Sequence, residues 1–262
     1  MVEKYGVLKQ NICANDFDLA AELLRIQGYA TIQSDLNQKD LDYLKTLIET
    51  LEAKNQKLDS SIRAPFFDDD FFTKIALDNN VLEVLSRLIV GRVMLLQQNV
   101  VINNPLHVEK YSQARFHRDL PYQHAIFSRP LAINALLCVD DFTVENGATL
   151  VLPGTHKIEE FPSEQALSEI KIQVQAKSGT FILLDGMTFH AGASNRTDKK
   201  RIGVNHVYGS PILRPQIDFV NHFDPERIKN LLKYGIKNEQ IEYLGLEFSV
   251  PRSVSEFAKT IK

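Results

Sequence analysis

Histidine and aspartate stand one residue apart at His117 and Asp119, inside the stretch RFHRDLPYQH that runs from Arg115 to His124. On an extended backbone, residues i and i+2 point to the same face about 6.6 Å apart, so an imidazole and a carboxylate at this spacing can converge on one ion. That mixed nitrogen and oxygen set suits iron(II), manganese or zinc. Two ligands do not complete a site, so a third must come from a distant strand. Of the seven histidines, His190 is the best placed: it ends the run GTFILLDGMTFH and precedes the small-residue loop AGASN. Two histidines and one carboxylate on one face of an ion leave its other positions open, as in non-haem iron(II) oxygenases. His206 competes for the third position, and His156 in PGTHK reads as a turn residue. His107, His124 and His222 read as surface or core residues.

Eleven positions after His190, Arg201 begins the run RIGVNHVYG. A turn through Asn195 to Lys200 would return this strand beside the one that carries His190. Arginine offers a planar fork that matches a carboxylate bidentately and stays charged when buried. An iron site that chelates a 2-oxo acid needs such an anchor for the far carboxylate. Arg196 is the rival anchor, but its place within the loop points it to solvent. Gln113 and Arg115 alternate with His117 and so share its strand face, which makes them candidates to line a substrate pocket. Asn134, on the following predicted strand, is a third.

Elements that could position these groups are legible on both sides of Arg92. Before it, apolar residues at helical spacing predict helices over Asp16 to Gln27, Lys39 to about Lys54, and near Asn80 to Leu88, with GYATIQ as a brief strand. After it come β-rich runs: VMLLQQNVVI, ARFHRDL, LAINALLCVD, ATLVLP, IKIQVQ, GTFILLD and RIGVNHVYG. Turn signals such as Asn146-Gly147, Pro153-Gly154 and Asp185-Gly186 separate them. Many short strands at this spacing predict a sandwich or barrel. The expected organisation is a single domain over 1–262: a mostly helical part over 1–91 packed on the core, a β core over 92–215, and an extension over 216–262.

Composition narrows the partners. The 262 residues are 44% hydrophobic and 24% charged, with 30 basic against 33 acidic side chains for a net charge of −3. With a pI near 6.2, neither nucleic acid nor an anionic membrane is the expected partner. Two separated cysteines, Cys13 and Cys138, form no disulfide framework or zinc motif, and the first residues carry no apolar signal stretch. A cytoplasmic location is therefore the expectation.

The segments HRD (117–119), DDFTVENGATLVLPGTHK (140–157) and FHAGASNRTDKKR (189–201), with the opening GYATIQSDLNQKDLDYL, resemble the phytanoyl-CoA dioxygenase family of iron(II)- and 2-oxoglutarate-dependent oxygenases. The resemblance spans about residues 20 to 215, and ENGAT…LPGTHK is its most distinctive part. It implies a double-stranded β-helix (jelly roll), mainly β with helical elaboration. It implies iron held by His117, Asp119 and His190, 2-oxoglutarate paired with Arg201, and O2 as oxidant. Many members place a hydroxyl residue shortly after the distal histidine; position 192 is Gly here, and Ser194 is the nearby substitute. A polar residue on the strand before HxD often helps to hold the co-substrate, which points to Gln98. Halogenating relatives carry a small residue in place of the aspartate, so Asp119 implies hydroxylation, with succinate and CO2 released and a small molecule as substrate. The competing readings are a cupin-like metalloenzyme that uses no 2-oxo acid and a non-catalytic jelly-roll binding module.

Overall fold

Side-chain caps and left-handed stops set the helix boundaries. The computed structural model describes residues 2–4, 7–8, 12–54, 61–106, 115–120, 125–216, 223–246 and 254–255. Asn15 Oδ1 accepts from Asp18 N at 2.9 Å to start α1 (Asp16–Gln27), and Gly28 ends it at φ 80°, donating back to Leu24 O. Asp78 caps α4 (Asn79–Leu88) by accepting from Asn80 N and Val81 N. Between these lie α2 (Gln38–Lys54) and α3 (Asp70–Ala76); α5 (Glu164–Ile170), α6 (Pro225–Lys233) and α7 (Asn238–Ile241) follow later in the chain.

The strands are β1 (Val2–Lys4), β2 (Val7–Leu8), β3 (Tyr29–Gln33), β4 (Ser61–Arg63), β5 (Met94–Asn103), β6 (Ala132–Cys138), β7 (Thr149–Val151), β8 (Ile172–Gln173), β9 (Thr180–Asp185), β10 (His190–Gly192) and β11 (Arg201–Gly209). A major sheet runs in the order β3-β9-β6-β11-β5-β4 and a minor one in the order β10-β7-β8, all antiparallel. The first and last strands of the major sheet come from the N-terminal part, which is thus built into the core and not only packed on it. Two further differences from the sequence-based expectation are local. The run IKIQVQ yields only the short β8 after an unpredicted α5, and among the described residues ARFHRDL forms a single bridge instead of a strand.

Alternation along the major sheet sorts its residues. One face, with Val100, Ile133, Ala135, Phe181, Leu183 and Val204, packs against helical residues including Leu24, Leu44, Ile48 and Leu85. The other face turns toward the minor sheet, where Cys138, Ile182 and Leu184 meet Phe142, Val151 and Val174. Cys138 is fully buried there, as its apolar surroundings in the sequence predict.

His206 lies on the helix side, away from His190. Its Nδ1–H donates to Ala135 O at 3.0 Å, and its Nε2 accepts from Gln98 Nε2 at 2.9 Å, which fixes a neutral ring in a fully buried position. Burial pushes its pKa down from 6.5 to about 4, opposed by hydrogen bonds at Ala135 and Val204. The unfolded chain therefore binds more protons than the folded one between these values. Stability is complete above about pH 6.5 and falls as pH drops toward 4. At 1.36 kcal/mol per unit, the wild type should lose about 2 to 3 kcal/mol more than His206→Gln between about pH 7 and 4.5. Denaturant titrations with equal pH slopes for the two proteins would refute this.

Candidate metal centre

The first ligand segment is held by backbone to the last. His117 N donates to His190 O at 3.0 Å and His190 N to His117 O at 3.1 Å, an antiparallel bridge that sets the two imidazoles side by side, ring centroids 4.5 Å apart. Asp119 N donates to Gly186 O at 3.2 Å, so the carboxylate is registered on the same turn. His117, Asp119 and His190 each offer a ligand atom within 4.8 Å of the others. His190 Nε2 lies 3.3 Å from Asp119 Oδ2, and His117 Nε2 lies 3.8 Å from Asp119 Oδ1.

Both imidazoles are oriented by the same device. His117 Nδ1 sits 2.8 Å from Arg115 O and His190 Nδ1 3.0 Å from Thr188 O, each the carbonyl two residues earlier. A carbonyl can only accept, so each Nδ1 carries a proton, and in the neutral ring Nε2 is then the atom that offers a lone pair to the centre. Two imidazole lone pairs and a carboxylate facing one another are a donor set that suits a cation. Burial holds the His190 pKa below its ordinary value, with Asp119 opposing and His117 reinforcing, so the neutral ligand form persists to lower pH. Asn134 Nδ2 donates to Asp119 Oδ2, the carboxylate oxygen nearer His190, and so fixes the carboxylate.

Arg201 opens β11 opposite Asn103 of β5 and is 2% exposed. Its guanidinium lies 4.0 Å over the Phe142 ring and lines the same pocket as the three ligand residues. Arg196 is solvent-exposed. Asn134, expected in the substrate pocket, does line it, but as a partner of Asp119. Arg115 contributes its carbonyl to His117 while its side chain is exposed. Ser194 is also exposed and does not line the pocket. Gln98 is on the opposite face of β5, where it donates to Phe72 O at 2.7 Å; its neighbours Gln97 and Asn99 line the pocket instead. Gln113, Tyr122 and the histidines at 107, 124 and 222 lie outside the described residues.

Besides Gln97, three polar pocket groups are missing from the sequence-based set. Asn205 shares a strand face with Arg201, four residues on, and this alternation was available in the sequence. Asn99 faces it across the β5–β11 ladder. Thr149 stands opposite Gly192 in the minor sheet and lines the pocket, so a hydroxyl reaches this region from across the ladder. Only the β7–β10 register brings it there.

The ENGAT and PGTHK motifs buttress this arrangement. Gly147 has φ +80°, and a Cβ there would lie 2.3 Å from Ala193 O and 2.5 Å from Asn103 Nδ2. Its lack of a side chain lets the loop after β10 approach, and Asn103 Nδ2 donates to Ala193 O at 2.9 Å. Thr155 Oγ1 accepts from Phe189 N at 3.0 Å, tying PGTHK to the residue before His190. Arg118, between the two ligands, is buried and reaches the same turn.

Comparison with known proteins agrees with this geometry. The family model for phytanoyl-CoA dioxygenase (PhyH) matches residues 24–203. An uncharacterized protein of Mycobacterium tuberculosis, Rv1501, is 29% identical over 157 residues, 59% of this chain and 56% of its own length. The dioxygenase af480 of Aspergillus fumigatus is 33% identical over 88 residues, 32% of this chain and 28% of its own length. This chain thus spans about half the length, or less, of these curated relatives. Among solved structures, EctD from S. alaskensis with 2-oxoglutarate and 5-hydroxyectoine superposes with TM-score 0.63 at 21% identity, covering 75% of this chain and 77% of that one. The non-heme alpha-ketoglutarate-dependent epimerase SnoN does so with TM-score 0.63 at 18% identity, covering 78% and 88%. The core is a jelly roll of that kind.

Proposed function

The chain belongs to the phytanoyl-CoA dioxygenase family, and from that premise we propose that it is an iron(II)- and 2-oxoglutarate-dependent oxygenase that hydroxylates an unactivated C–H bond of a small molecule, releasing succinate and CO2. The observation that carries this reading is the acceptor-only cluster of His117, Asp119 and His190, with both Nδ1 protons committed to carbonyls. It fits a divalent cation with open positions on one side.

In this mechanism both Nε2 atoms and the Asp119 carboxylate would hold iron, and Asn134 keeps the carboxylate from swinging away. Iron with 2-oxoglutarate bound supplies the oxidising chemistry, coupling O2 reduction and decarboxylation to removal of hydrogen from the substrate. Arg201 receives the far carboxylate of the co-substrate in a bidentate pair, its plane supported by Phe142. Leu136, Leu184 and Val101 line the pocket and keep bulk water from the reacting atoms. With Asp119 as a ligand, the set would leave no place for a halide in its stead, which favours hydroxylation over halogenation.

Supplied with iron(II), ascorbate and 2-oxoglutarate, the protein should form succinate slowly without substrate and faster when a metabolite screen reaches the substrate. A substrate product heavier by one oxygen supports hydroxylation; an isomer of unchanged mass moves the reading to epimerisation, the reaction named for SnoN. Absence of both succinate and 2-oxoglutarate binding overturns the proposal in favour of a binding module.

A further inference from the structure

The residue between two ligands of an HxD pair faces away from the ion, and here it is a 6% exposed arginine. Arg118 Nε donates to Met187 O at 2.8 Å. Its Nη1 donates to Glu159 O at 3.2 Å, and its Nη2 donates to Thr155 O at 2.9 Å and to Ile158 O. The guanidinium carbon lies 3.9 Å over the Phe189 ring. One side chain thus joins three pieces of chain: its own ligand segment, the 185–189 turn that delivers His190, and the PGTHK turn with the two residues after it.

We propose that Arg118 is the positioning residue of the metal centre, clamping the His117–Asp119 segment onto the PGTHK turn so that both ligands face His190. The proposal rests on the metal reading above. A buried guanidinium is costly unless its donors are satisfied in their own plane. Four carbonyls and a ring face meet that condition in one orientation of the segment. Rotation of the segment that moved His117 or Asp119 off the centre would withdraw Arg118 from its acceptors. Among the described residues, the backbone bonds that also hold the segment are the His117–His190 bridge and those from Asp119 N and Leu120 N to Gly186 O. PGTHK thereby acquires a function, since its carbonyls point to the clamp while Thr155 Oγ1 holds the turn to Phe189 N. Phe161 packs edge-on against the Phe189 ring at 4.9 Å.

The test is Co2+ binding by the folded apoprotein, followed by titration and by the visible spectrum of the bound ion. Arg118→Lys keeps the buried charge but loses the planar fork. It should weaken Co2+ binding by about 10- to 100-fold, as loss of outer support for ligands does, and should alter the spectrum while the apoprotein keeps its circular dichroism. Arg227→Lys is the control: this arginine pairs with Asp70 and Phe66 O, away from the centre. It should lower thermal stability and leave Co2+ affinity and spectrum unchanged. Wild-type affinity and spectrum in folded Arg118→Lys would overturn the proposal, as would equal weakening in Arg227→Lys. If Arg118→Lys does not fold, Thr155→Val, which loosens the acceptor turn and leaves Arg118 in place, carries the same expectation and the same refutation. Wild-type protein that takes up no Co2+ overturns the metal reading itself, whereas binding by the wild type with no effect in these variants overturns the clamp alone.

Discussion

Asp119→Ala should lower iron(II) affinity on the order of 100-fold or more and reduce succinate formation to background, because it removes the anionic member of the ligand set. The two imidazoles that remain are neutral and supply no charge against a dication. Asn134 would also lose its acceptor, and its Oδ1 already has no hydrogen-bond partner. A folded variant with native circular dichroism and undetectable iron uptake is the expected result. Asp119→Asn separates shape from charge: it keeps an oxygen near the ion, so its affinity should fall between those of the other two proteins. Wild-type turnover by Asp119→Ala would remove this triad from consideration.

Arg201→Met should raise the KM for 2-oxoglutarate on the order of 100-fold or more, with little change in the affinity for the metal alone. Truncating one partner of a buried, hydrogen-bonded charge pair typically costs about 2 to 5 kcal/mol. Arg201 is nearly inaccessible and its plane is fixed over Phe142, so no other cation of the pocket lining can replace it. Arg201→Lys should recover only part of the loss, since an ammonium cannot form the bidentate pair. Arg196→Met should leave the KM within about twofold, in keeping with its exposed place in the loop. The reverse ranking in steady-state kinetics would move the anchor to Arg196.

The parts of this site legible in the sequence are those governed by short-range periodicity. The i, i+2 spacing pairs His117 with Asp119 even though their segment forms a bridge and not a strand, and the apolar stripe gives the bounds of α1. What the sequence could not settle is register. Gln98 and Asn99 are adjacent polar residues on one strand, and only the pairing of β5 with β11 decides which enters the pocket. Buried polar groups on the helix side, Gln98 and His206, hydrogen-bond to each other there and mimic the signature of site residues. Thr149 reaches its position through a pairing between β7 and β10, about forty residues apart in sequence, which no local pattern encodes. Arg118 stood in plain view, but its meaning depends on carbonyls from segments far along the chain.

The two outer strands of the major sheet have a consequence for how this molecule is divided. Because β3 and β4 flank the sheet, the stretch 92–215 that carries every proposed ligand does not contain the whole sheet. Cut free of the residues before Arg92, it would display bare backbone donors and acceptors along β9 on one border and β5 on the other. Such unpaired borders recruit strands from other molecules and polymerise. The N-terminal segment is thus the part that keeps the site-bearing sheet from becoming a template for its own aggregation.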